Sequence, residues 1–505
     1  MNRRAFLRLA SMLAASAAVS ACAPKLHLRD RLFDSLPAPS DDNPFVGPGT
    51  SFSGWDDGAV FTALSRLTFG PRVEERLRAS AIGVPAWVEE QLAPAAIEDS
   101  TLDLRLRGFE TLTMSPGDLF DASSRLFDQV DRTAVPSELR QATLLRQVFS
   151  HRQLYELMVE FWSDHFNISV DKGECWFLKT VDDREVIRKH ALGNFGELLS
   201  ASAHSPAMLV YLDNQASHKG APNENYAREL MELHALGIGG GYTQADVMAL
   251  ARCLTGWTVK DHFWRGEFTF DGSRHDDSQK IVLGMRVEPA GQREAEGVIE
   301  LMTTHPSTAR FISRKLAQRF IGPAAPNGVV ERATQTFITT RGDIQAVLRV
   351  IVLDGLAFSE PKFKRPVNFV ASALRQLGAQ TDCGPALLRF LERMGQLPFG
   401  WPTPDGYPDR IETWQANMLA RWQFALALAQ DQIDGTRLNW QALGVPAGRY
   451  SPQAWVDHIS ALLLGTRLDP VSRTGLLTVL ESTGDAWLPA VLAAGVMASP
   501  AFQWR

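Results

Sequence analysis

A mainly α-helical, multi-helix body with a small β-hairpin insertion near residues 263–285 is predicted by three observations. Apolar residues recur at three- and four-residue spacing through most of the 505-residue chain. Strand-like alternation is confined to one region, from Phe263 to Leu283. There is no short-period repeat, and no glycine pattern of a dinucleotide or phosphate loop, so neither a solenoid nor a doubly wound sheet is indicated.

The chain starts with a short leader. Arg3 and Arg4, in Asn2-Arg3-Arg4-Ala5-Phe6-Leu7-Arg8, form a twin-arginine signature ahead of the weakly apolar run Leu9–Val19. That run is too short and too rich in alanine to span a bilayer, so residues 1–22 read as an export signal. The run ends in Val19-Ser20-Ala21-Cys22, a lipobox whose last thiol would be acylated and would hold the mature chain on a membrane. Residue 23 is alanine rather than aspartate, which in a Gram-negative cell favours the outer membrane. The expected address is therefore the periplasmic face of the outer membrane or the cell surface. Residues 23–54 carry Pro24, Pro37, Pro39, Pro44 and Pro48 with no sustained periodicity, and read as a tether.

From 55 to 505 one large helical domain is predicted. Val60, Leu64 and Leu67 keep helical spacing until Gly70-Pro71; a second helix runs from Glu74 to Gly83, and a third opens at Pro85. A long apolar helix is expected from Leu144 to Phe166, another over Asp183–His190, and a further one from Phe195. The segment Asn223–His234 is helical and stops at the glycines 237, 239, 240 and 241. Thr243-Gln244-Ala245-Asp246 is a capping box opening the next helix. Phe268–Phe270 and Ile281–Leu283 are two short strands around the polar loop Ser273–Lys280, while Thr255-Gly256-Trp257 reads as a cap or turn. Helices then cover Glu294–Thr303, Ser307–Phe320, Asp343–Leu353 and Val367–Leu377. A loop rich in Pro, Gly and Trp fills 396–414, and helices return from Ala416.

Hydrophobic residues at 45% and charged residues at 21% belong to an ordinary globular protein. Without residues 1–21, which carry Arg3, Arg4 and Arg8, 48 basic side chains face 57 acidic ones, a balance of −9. A mildly acidic chain without a basic run argues against nucleic acid as a partner. Thirteen Trp and 27 Phe point to an aromatic interior or to stacking surfaces. Cys175, Cys253 and Cys383 show no CxxC spacing, which excludes a zinc ribbon; a Cys175–Cys253 disulfide is the pairing expected in an oxidising compartment.

The densest chemistry lies in Asn223–His234. At about 100° per residue, Asn225, Glu229 and Glu232 share one face with Arg228 at its edge; Tyr226, Leu230 and Leu233 share the apolar face, with His234 at its border. A carboxylate stripe beside a buried flank suits a metal or acid/base site. It equally suits a buried ion network of Arg228, Glu229 and Glu232 with Arg184 or Arg188. The spacing is neither HExxH nor that of a di-iron bundle, so any metal must draw ligands from other segments. His165 is one source, with Asp164 and Asn167 beside it, although a histidine on an apolar helical face is more often a satisfied core residue. His275, on the loop with Asp276 and Asp277, is a second, and Asp213 follows an apolar run that would place it at an element's end. No GxSxG elbow supports a serine hydrolase.

These segments also carry a resemblance. Phe161-Trp162-x-x-His165-Phe166, Arg188–Phe195, Ser205–Leu209, Tyr211-Leu212-Asp213 and Asn223–His234 are part of it. So are Tyr242-Thr243-Gln244-x-Asp246-Val247, Leu254–Trp257, His275-Asp276, Lys280, His305–Phe311, Lys364–Arg375, Pro404–Tyr407 and Ala498–Phe502. Together they resemble the bacterial family called "domain of unknown function 1800" over about residues 55–505. Ser163 departs from it, since many relatives carry a second histidine there. The resemblance implies export and a neighbouring exported family, "domain of unknown function 1501", similar to the sulfatase and alkaline-phosphatase group. It implies no particular reaction.

The expectation is an exported lipoprotein bearing a metal-dependent or acid/base hydrolytic site for an envelope or extracellular substrate. Glu229, Glu232, Arg228 and Asp213 are the catalytic candidates, and His165, His234, His275 and Glu229 the candidate ligands of a divalent or transition metal. The other reading is a non-enzymatic partner of a co-exported sulfatase-like protein.

Overall fold

The computed structural model describes residues 57–125, 133–261, 265–440, 443, 451–481 and 488–505. The signal, the lipobox with Cys22 and the tether lie outside the described residues. The described chain is mainly α, with helices following one another from Asp57–Leu67 to Leu488–Ala498 and only two-stranded antiparallel sheets between them. One hydrophobic cluster joins residues from Val60 to Phe502. Helix Pro306–Phe320 packs on Asn327–Thr339, which packs on Ile344–Gly355, while Met418–Ala429 packs on Leu488–Ala498. The last residues return to the body: Lys362 and Arg505 exchange backbone hydrogen bonds, N–H to O, of 2.9 Å in each direction.

Most expected helices form where the apolar spacing places them, because each buries one stripe against this shared core. Asn194 caps Phe195–Ala203, Asp343 caps Ile344–Gly355, and the Thr243–Asp246 capping box is present. The helix Asn327–Thr339 went unread in the sequence.

Three expectations change. The run Leu144–Phe166 is two helices, Ala134–Phe149 and Gln153–His165. Ser150 breaks it by donating to Asp99 Oδ2 at 2.6 Å and accepting from the Arg152 N–H at 3.0 Å, local polar bonds that compete with helix continuation. The β region holds two hairpins rather than one. Phe268–Phe270 pairs with Trp257–Val259, and Lys280–Val282 pairs with Met285–Val287. Leu283 and Gly284, both at positive φ, make the tight turn of the second hairpin. In the first, a Cβ on Gly256 (φ 83°) would meet Asp271 O at 2.5 Å, so only glycine lets these strands close. Finally, Cys175 and Cys253 are free thiols, both buried, as is Cys383. Cys175 donates to Ala207 O at 3.6 Å, and burial pushes the Cys175 and Cys253 thiols up to about 12.

Candidate functional site

Four segments bring the polar groups together. Helix Gln153–His165 ends on His165, whose ring sits among Phe166, Trp162 and Phe311 and is itself buried. Helix Glu224–Glu229 starts on Asn223, which accepts from the Tyr226 N–H at 3.1 Å, and changes at Leu230–Ala235 into a π-helical turn. The Leu236 N–H bonds to Met231 O at 2.7 Å, five residues back rather than four. That extra residue in the turn shifts every following side chain around the axis, and π-turns of this kind collect at functional sites. It carries His234 into the interior, 6.2 Å from His165 between ring centroids; Glu232 in the turn and Glu229 just before it are partly exposed.

Helix Pro306–Phe320 supplies Lys315, one helical turn after Phe311 and with its Nζ 5.4 Å from that ring. Nζ lies 2.8 Å from His165 Nδ1. Since His165 Nε2 is 3.0 Å from the His234 carbonyl oxygen, the Nε2–H donates there and Nδ1 accepts from Lys315. This tautomer is a neutral imidazole. Burial, then the charge on Lys315, holds His165 well below its ordinary range and pushes His234 down to about 3. Burial likewise pushes Lys315 down to about 8, against the pull of Asp164 and Asp405. His234 Nε2 is buried and has no hydrogen-bond partner.

The fourth segment is the loop Trp401–Tyr407. Asn167 Nδ2 donates to Trp401 O at 3.0 Å and to Thr403 O at 2.8 Å, and the Tyr211 hydroxyl donates to Pro402 O at 2.9 Å. A Cβ on Gly406 (φ 72°) would meet Asp164 O at 2.0 Å, so the glycine lets the loop press on the end of helix Gln153–His165. Beside it, Asp405 acts electrostatically on both Lys315 and Glu229.

At the end of helix Glu224–Glu229, Glu229 makes no hydrogen bond or ion pair among the described residues. Burial, then the neighbouring Glu232, raises its carboxyl above the usual range, with Arg228 opposing and Asp405 adding. Glu232 accepts from the Tyr242 hydroxyl at 3.4 Å. Arg228 donates to Gln244 Oε1 at 2.7 Å. The alternative network with Arg184 or Arg188 is not built: Arg188 pairs with Asp183 and Glu156, and Arg184 with Glu185.

The family model for a protein of unknown function, DUF1800, matches residues 62–504. The chain belongs to the DUF1800 family. No curated protein and no solved structure matches it. All four segments of the site lie inside the matched range.

Two candidates of this DUF1800 chain lie apart from the others. Asp213, in the left-handed region at φ 60°, is exposed and its carboxylate is bound by Lys172 at 2.7 Å. His275 is buried on a different network, with Nδ1 on Thr255 O at 2.8 Å and Nε2 on Glu294 Oε1 at 3.0 Å. Glu294 also binds the buried Lys280 at 2.5 Å. This triad fastens His275 and Lys280 to helix Arg293–Thr303, while Ser273 and Asp277–Gln279 of the loop stay exposed.

The donor set does not fit a metal. Among the described residues no three His, Cys, Asp or Glu side chains form a group able to hold one. Both ring nitrogens of His165 are engaged and a lysine head adjoins it; both nitrogens of His275 are engaged elsewhere. His234 and Glu229 alone keep free donor atoms, too few for the usual coordination.

Behind helix Gln153–His165, a cavity of about 40 Å³ is lined by Glu156, Glu160, Asp164, Asn167 and Tyr407 among others. It suits a few waters rather than a substrate. Sequence reasoning missed Lys315, which in one dimension looks like a solvated helix lysine, and Asp405, whose Pro-Asp-Gly-Tyr setting was noted only for its resemblance.

Proposed function

We propose that this DUF1800 protein is an exported, lipid-anchored acid/base enzyme of the cell envelope, and that hydrolysis of an envelope or extracellular substrate is its reaction. The observation that carries the reading is an unpaired, half-buried Glu229 beside Glu232, on the same segment as His234, whose ring lies 6.2 Å from the Lys315-bound His165. A carboxyl whose proton affinity is raised, set beside a second carboxyl, can serve as the acid of an acid/base pair. Glu229 holds its proton to a higher pH than an ordinary glutamate and delivers it to the leaving group. Glu232, steadied by Tyr242, takes the proton of the attacking water. Lys315, held by His165, binds the oxygen on which negative charge grows. Arg3 and Arg4 would direct the folded chain to export, and the acylated Cys22 would hold it on the outer membrane or cell surface.

The test is release of soluble fragments from isolated envelope polymers by the mature protein, beside its Glu229→Gln and Lys315→Met variants. Wild-type turnover that falls about 10²–10⁴-fold in Glu229→Gln, with the fold retained, supports the reading. Equal turnover in both sinks it.

A second reading, a non-enzymatic partner of a co-exported sulfatase-like protein, draws on the number of charges tied up in internal lattices. Arg365 spans Glu160 and Asp164, and Arg188 spans Glu156 and Asp183. Inactivity on every substrate, with stoichiometric co-purification of that partner, would favour it.

A further inference from the structure

The side chains of His275, Lys280 and Glu294 are fully buried, and the ring of Phe270 stands 5.3 Å from that of His275. Written as an ordinary ion pair, the triad does not close. Thr255 O can only accept, so its contact of 2.8 Å with His275 Nδ1 places the ring proton on Nδ1. The Thr255 hydroxyl is occupied otherwise, donating to Arg252 O at 2.6 Å and accepting from the Asp276 N–H at 2.9 Å. The neutral ring then turns the lone pair of Nε2 toward Glu294 Oε1, 3.0 Å away. A carboxylate there would set lone pair against lone pair. An imidazolium would mend that bond but leave two cations on one buried carboxylate, because Asp276 is taken by Arg252.

One arrangement satisfies every contact without net charge. Glu294 Oε1 carries a proton and donates it to Nε2, while accepting from the Ala290 N–H at 3.0 Å. Lys280 is then a neutral amine that donates to Asp276 O and to Glu294 Oε2, the latter at 2.5 Å. This form takes two charges out of the interior. Burial raises the Glu294 carboxyl, and bonds donated to it by Lys280, His275 and Ala290 pull it below the ordinary range. With the ring proton on Thr255 O, the His275 bond runs the other way and raises it instead.

A neutral amine, a carboxylic acid and an imidazole held in contact are the reactants and the proton carrier of an amide condensation. We propose that Lys280 and Glu294 join in an intramolecular isopeptide bond, which staples strand Lys280–Val282 to helix Arg293–Thr303. Nζ attacks Cδ of Glu294; the Nζ–Cδ bond forms and the Cδ–Oε1 bond breaks. His275 Nε2 takes one proton from Nζ and passes it to Oε1, which leaves as water, while Oε2 remains as the amide oxygen. The described cysteines are free thiols, so this bond supplies a covalent cross-link that they do not. It involves neither Glu229 nor Lys315, and stands or falls independently of the enzymatic reading.

The test is mass spectrometry of the full mature chain after denaturation. The expected mass lies about 18 Da, one water, below that of the unlinked chain. Trypsin should fail to cut after Lys280 and should release residues 275–286 joined to the peptide that carries Glu294. In Lys280→Met the mass should be that of its own unlinked sequence, with the Glu294 peptide released free. The decisive peptides come from the wild type, so a variant that does not fold leaves the test intact. The full unlinked mass with cleavage after Lys280 overturns the proposal, as does a loss of water without the joined peptide.

Discussion

Lys315 Nζ lies 2.8 Å from Nδ1 of His165, and no carboxylate forms an ion pair with it among the described residues. A lysine in this position is held down to about 8 from an ordinary 10.5 by burial. The unfolded chain therefore binds one more proton between those values. Stability is reduced in full below about pH 8 and recovers as pH rises toward 10.5. Lys315→Met should remove that penalty, raising stability at pH 7 by about 1–3 kcal/mol while abolishing turnover. Urea unfolding at pH 7 and 10 checks it: the gain should be smaller at the higher pH.

His165 and His234 work in the acid range. Both are held neutral in the fold, His234 at about 3, whereas unfolded histidines take a proton near pH 6.5. Below that pH the unfolded state binds two extra protons, so stability should fall by up to about 2.7 kcal/mol per pH unit. Replacing His234 by Gln should halve the slope from this pair. Unfolding free energies measured from pH 7 to 5 would show it, and an unchanged slope would contradict the neutral pair.

Gly406→Ala places a methyl 2.0 Å from Asp164 O at a φ of 72°. Steric and backbone strain together predict a loss of about 1–3 kcal/mol or a displaced Trp401–Tyr407 loop. Faster proteolysis within 401–407, with turnover reduced because Asp405 moves, is the expected signature. Wild-type proteolysis and turnover would mean that the loop does not shape the site.

Glu294→Ala separates structure from chemistry. It strands Lys280 and His275 in the interior, at a cost of about 3–5 kcal/mol. In conditions where the variant remains folded, turnover should stay within about twofold of wild type, since this triad shares no partner with Lys315 or Glu229. A large selective loss of turnover would return His275 to the active site.

Much of the molecule was legible one segment at a time. The helix opened by Thr243 is set by a capping box, and the first helix by Val60, Leu64 and Leu67 followed by Gly70-Pro71. Both signals are local. Glu229 and Glu232 stood out for the same reason, as carboxylates concentrated on one short helix. The partners of Phe268–Phe270 and Lys280–Val282 were not legible, because pairing is a contact between segments and any neighbouring alternation satisfies the period. His275 looked like a loop ligand until Glu294, 19 residues on, closed over it.

The residues alone determined a helical body, its main caps and breaks, its membership of a family, and the expectation of an exported chain anchored at Cys22. Those are properties of short runs, set by spacing and side-chain chemistry. The tertiary structure decided which groups meet. A π-turn moved His234 inward, out of the register that 100° per residue assigns it. Helix Pro306–Phe320 then set Lys315 against His165 across 150 residues. Proton affinities followed from that meeting, because burial and neighbouring charge act through space and not along the chain.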